Sequence, residues 1–118
     1  VVDVTPERFE ELVGEALDSI PEELGRLMDN VAVFVEEQRS PWLLGLYEGV
    51  PLTNRGHHYG TPYNGLPMPD RITIFRRPIL RRCRDEDDVV RQVRVTVVHE
   101  VAHHFGIDDD RLRELGWA

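Results

Sequence analysis

With 118 residues, the chain has room for one hydrophobic core and no second one, so a single domain over 1–118 is expected. A composition of 41% hydrophobic and 31% charged residues is that of a globular protein, and neither a membrane-length apolar run nor a charged-then-apolar leader is present, which excludes a membrane partner. The formal charge of −8 argues against nucleic acid as a partner, and the lone Cys83 excludes an internal disulfide and suits a reducing cytoplasm.

Thr5-Pro6-Glu7 reads as a helix start: a capping hydroxyl, proline at the first helical position, then an acid. Phe9, Leu12, Val13, Ala16, Leu17 and Ile20 follow at three- and four-residue spacing and form one apolar face, until Pro21 stops or kinks the helix. Glu22 to Met28 predicts a short second helix with Leu24, Leu27 and Met28 turned inward. Val31 to Val35 is a continuous apolar, β-branched run and predicts a strand buried on both faces. Leu43 to Tyr47 predicts a weaker second strand, flanked by Pro41 and Pro51.

Thr53 to Asp70, dense in Gly, Pro and Asn, predicts a long loop. It carries His57, His58, Tyr59 and Tyr63, ordinary loop or packing residues by default and secondary candidates for touching a substrate. Arg71 to Phe75 alternates as a third strand that Pro78 closes. Asp85 with Asp88 is close to a capping box, and four acids there suit a helix N-terminus. A helix is expected from there to about residue 105, although Val93 to Val98 locally disfavours it. Asp108 then caps a short last helix with Leu112 and Leu115 inward, ending at Gly116-Trp117. This order gives an α+β fold, a small mixed sheet backed by helices.

The long helix carries the chemistry. His99-Glu100-Val101-Ala102-His103 is H-E-x-x-H, followed by Gly106 and Asp109. Helix positions four apart differ by about 40° in azimuth and about 6 Å in rise, so His99 and His103 share a face and can reach one zinc ion. Glu100 lies beside that face, where its carboxylate can take a proton from a water on the metal. Gly106 suits a left-handed helix end, and the turn it permits offers Asp109 as a third ligand, leaving one zinc position open. Each residue has a plainer role to set against this one. The histidines could sit in a core, Glu100 on a helix surface, and Asp109 at a helix start favoured by the macrodipole. Asp108, Asp110 and Glu114 are alternatives to Asp109. His104, about 140° round the helix from His99, is expected to pack or face solvent.

The run His99-Glu100-x-x-His103-x-x-Gly106-x-x-Asp109 resembles the extended zinc motif of the metzincin branch of zincin metallopeptidases, with Asp where most have His. From Val95-Thr96 through Arg111-Leu112, the chain is similar to a family of small bacterial zincin-like metallopeptidases. The resemblance implies a minimal zincin-like domain with the motif on a long helix under the sheet. It also implies an edge strand that pairs with an extended peptide or protein substrate. By it, Zn2+ is held by His99, His103 and Asp109, and Glu100 is the general base of peptide hydrolysis. The chain departs from metzincins in that Met28 and Met68 both precede the motif, whereas metzincins carry a methionine turn after it.

Two other functions compete. Residues 71–94 hold eight Arg against four acids, and residues 7–37 hold ten acids against two Arg. The two segments are expected to attract each other or be solvated; the alternative is an arginine rim for RNA or an acidic peptide. With three ligands at this spacing, such a rim would suit a metal-dependent ribonuclease. A binding module of zincin fold with little catalysis is the third reading.

Overall fold

The computed structural model describes residues 2–49 and 68–117. Its elements are α1 (Pro6–Asp18), α2 (Glu22–Leu27), β1 (Val31–Glu36), β2 (Gly45–Glu48), β3 (Asp70–Phe75), α3 (Arg76–Arg81), α4 (Glu86–His104) and α5 (Asp109–Leu115). The Thr5 hydroxyl accepts from the Arg8 amide at 3.1 Å with Pro6 behind it, so α1 begins where its sequence asks. Phe9, Leu12, Val13 and Ala16 are its buried face. In α2 only Leu24 is buried; Leu27, the last residue of the helix, is 36% exposed.

The three strands form one sheet in the order β1-β3-β2, with β1 parallel and β2 antiparallel to β3. The strand that comes last in sequence is therefore the central one. Ile72 and Ile74 of β3 point into the helical core, while Thr73 and Phe75, also fully buried, alternate to the opposite face. This corrects the expectation for β1. Among the described residues it is an edge strand with Val31, Val33 and Val35 leaning on the core, but Phe34 is 44% exposed beneath the Arg71 guanidinium, which lies 4.4 Å from its ring centre. The strand buried on both faces is β3.

Pro78 does not close β3. The strand ends at Phe75 and α3 begins at once, with Pro78 in its first turn, where amides lack helical acceptors and a missing N–H is tolerated. Pro78, Ile79 and Leu80 are buried there. In α4 the Asp85 carboxylate accepts from the Asp88 amide at 2.8 Å. Asp88 reaches back to the Arg84 amide at 2.9 Å, one residue further than a capping box would. The helix runs unbroken through the valine-rich stretch because Val89, Val93, Val97, Val98 and Val101 are buried. A valine loses up to about 0.7 kcal/mol in helix propensity, against about 1.5–3 kcal/mol from burying its side chain, so packing wins. This helix packs on α1 and on the inner face of β2 and β3.

Both last helices end alike. The amides of Gly106 and Ile107 return to the carbonyls of His103 and Ala102, and those of Gly116 and Trp117 to Arg113 and Leu112. The two glycines have φ of +79° and +77°, the left-handed geometry that this double return needs. Acidic and arginine-rich segments meet as expected: Arg76 and Arg77 pair with Glu37 at 2.8 and 3.4 Å, Arg71 with Glu36 at 3.9 Å, and Arg8 with Glu86 at 2.8 Å. Among the described residues no helix is long and apolar enough to cross a membrane.

Candidate metal centre

The last two turns of α4 present His99, Glu100 and His103, and the glycine turn at Gly106 folds α5 back against them. The His99 and His103 rings lie nearly parallel, 15° apart in plane, with centres 5.8 Å apart. Asp109 is the first residue of α5, and its Oδ1 sits 3.1 Å from His103 Nε2. That hydrogen bond, with further lowering from the charges of His103, His99 and Arg113 and opposed by desolvation, holds the Asp109 carboxyl below the usual carboxylate range. The alternatives to Asp109 are engaged elsewhere. Asp108 accepts the Arg111 amide as the helix cap, Asp110 pairs with Arg113, and Glu114 pairs with Arg111.

The donor chemistry suits zinc. Two ligand atoms about 2.1 Å from one tetrahedral ion stand about 3.4 Å apart, close to the spacing that His103 and Asp109 already have. Two imidazoles on such an ion have ring centres about 5 Å apart, so the His99 ring is the member that has to close in. As they stand, no three His, Cys, Asp or Glu side chains among the described residues form a ready cage.

Glu100 faces a different neighbour. Its Oε1 accepts the main-chain amide of Tyr47 in β2 at 3.1 Å. The carboxylate and the His99 ring line a groove of about 220 Å³, with Val95 of the same helix beside them and Leu43, Leu44 and Gly45 also lining it. A larger cleft of about 450 Å³ lies away from these residues, between the end of α1 and α2. Strand β2 comes this close to α4 because residue 45 is glycine: a Cβ there would stand 2.6 Å from Thr96 Cγ2 and 3.3 Å from the Thr73 carbonyl oxygen.

Beside the motif lies a cluster that no local pattern announced. The Tyr47 hydroxyl donates to Asp70 Oδ2 at 2.7 Å, and the His104 ring stacks on the Tyr47 ring at 3.9 Å between centres. His104 Nε2 is 3.7 Å from the same Asp70 oxygen, and Phe105 meets both rings edge-on. His104 is thus packed, and turned away from the His99–His103 pair, as its position round the helix predicts. The only sequence signal for the cluster was that Glu100 and His104 are four apart and share a face. His57, His58, Tyr59 and Tyr63 lie outside the described residues. Cys83 is buried in the core, away from the candidate ligands.

The sequence profile of zincin-like metallopeptidases matches residues 28–117, a span that takes in both sheet and motif. No curated protein matches the chain. Among solved structures, a conserved hypothetical protein from Thermo thermophilus is similar, with 26% identity and a TM-score of 0.52 over 86% of this chain and 94% of that one. With sheet, motif helix and turn all inside the matched span, the chain belongs to the zincin-like metallopeptidase family.

Proposed function

We propose that the protein is a zinc-dependent peptidase of the metzincin-like H-E-x-x-H-x-x-G-x-x-D type, with His99, His103 and Asp109 as ligands and Glu100 as general base. When bound there, zinc supplies a Lewis acid that polarises a peptide carbonyl and acidifies a water. The rest is the work of this chain's own side chains. Asp109 accepts from His103 Nε2 and brings a negative charge to the imidazole pair, which favours a cation between them. Glu100 takes the proton of the attacking water on a carboxylate oxygen and passes it to the leaving amine nitrogen. The groove beside Glu100 and His99 gives an extended peptide a place next to that carboxylate. The observation that carries the proposal is the approach of Asp109 to His103 across the Gly106 turn.

The test pairs metal analysis of natively purified protein with peptide-library cleavage. One zinc per chain is expected, lost in His103→Ala and kept in Glu100→Gln. Turnover in Glu100→Gln is expected to fall by about 10²–10⁴-fold. Equal cleavage by wild type and Glu100→Gln overturns the mechanism, and zinc without cleavage of any peptide leaves a binding module. The ribonuclease alternative has lost ground, since Arg71, Arg76, Arg77 and Arg81 are engaged by Glu36, Glu37 and Gln38. We place the protein in the cytoplasm, where its one buried thiol meets no demand for pairing.

A further inference from the structure

Two neighbouring faces of α4 do different things. His99 and His103 make one; Glu100 and His104, also four residues apart, make the next. Tyr47 lies along this second face and touches both of its members. Its main-chain amide donates to Glu100 Oε1 at 3.1 Å, and its ring stacks on His104 at 3.9 Å and 20°. The far end of the side chain is tied to the sheet, where the hydroxyl donates to Asp70 Oδ2 at 2.7 Å on the first residue of β3.

Strand β2 needs such an anchor. It has four residues and, among the described residues, is hydrogen-bonded to one strand, β3. Its pairing with β3 fixes its register but leaves its height above α4 to be set by side chains. Gly45 lets the strand down onto Thr96 at one end, and the Tyr47–Asp70–His104 cluster holds it at the other.

Resting on the proposed role of Glu100, we infer that Tyr47 is a positioning residue for that base, with Asp70 and His104 as its anchors. The phenol–carboxylate bond and the ring stack fix the residue-47 amide, and that amide holds one oxygen of Glu100 so that the other is left to take the proton. A bond to a charged acceptor is the stronger kind, and it confines a side chain that otherwise has several rotamers. Misplacing a catalytic group by about 1 Å costs about 100-fold in rate, so a loosened β2 shows in turnover before it shows in binding.

The variants are Tyr47→Phe, which keeps ring and amide and removes only the hydroxyl, Asp70→Ala, and Asp70→Asn, which keeps an acceptor. Each is examined in the full chain for hydrogen exchange at the residue-47 amide and for kcat and KM on a cleaved peptide. Tyr47→Phe and Asp70→Ala are expected to speed that exchange about tenfold and to lower kcat about tenfold, with KM and zinc content unchanged. Asp70→Asn should retain most of both, and in a Glu100→Gln background Tyr47→Phe should cost no further activity. Unchanged exchange in Tyr47→Phe overturns the inference whatever the turnover, as does a loss confined to KM. A wild type that cleaves no peptide overturns the peptidase proposal alone, because the exchange measurement still reports whether the hydroxyl holds the amide in place.

Discussion

Gly45 shows how much can rest on one missing methyl group. A Cβ at 2.6 Å from Thr96 Cγ2 forces either β2 or α4 to move, and the obstacle is a short, stiff β-branched side chain on a packed helix. Gly45→Ala is therefore expected to cost about 1–3 kcal/mol in urea unfolding and to disturb the Tyr47–Glu100 contact with it. Cys83 makes a different demand. Burial pushes its thiol above the ordinary value of 9.0, with Asp88 and Asp85 adding to the shift, so the folded protein favours the neutral form. A group whose folded pKa is raised contributes stability that is fully present below the unfolded value and is lost as pH climbs through the folded one. Unfolding free energy should thus begin to fall above about pH 9, and less so in Cys83→Ala. Native protein should also react slowly with iodoacetamide at pH 8 and quickly once denatured.

At the scale of elements, α4 was legible and α3 was not. The start of α4 was marked by Asp85 and the acids after it, and its end by Gly106, so the helix survived an interior of poor helix formers. Asp85→Ala removes the acceptor for the Asp88 amide and should cost about 1 kcal/mol, read from the unfolding midpoint at unchanged slope. Helix α3 hid behind Pro78, which reads as a stop when the helix start is unmarked; Phe75 caps α3 with no side-chain bond. The place of β1 is not legible in its sequence, because a run of apolar residues says that a strand is sticky, not which neighbours it will find. Its exposed Phe34 is sheltered by Arg71 on the next strand, a pairing fixed only by register. The same limit explains the candidate site. His99, His103 and Asp109 fall within one turn-helix segment and were visible together, whereas Tyr47 and Asp70 stand 23 residues apart and meet only when the sheet forms.

Over the whole molecule, charge is sorted before it is cancelled. Of the eight arginines in the 71–94 segment, Arg71, Arg76, Arg77 and Arg81 meet Glu36, Glu37 and Gln38, and Arg84 and Arg91 pair with Asp88, which weakens the hold that the segment has on a polyanion. In a mobility-shift assay at physiological salt, structured and single-stranded RNA should both remain unshifted; a complex whose affinity falls steeply with added salt would revive the nuclease reading.

The position of β3 in the sheet has a consequence for how the protein is born. Strands β1 and β2 leave the ribosome first, and among the described residues their strand partner is residues 70–75, since neither pairs with the other. At about 5–20 residues per second, roughly one to five seconds separate β2 from the strand it pairs with. Ten acidic residues against two arginines crowd residues 7–37, and like charge of that density acts against association of half-made copies until the central strand is made.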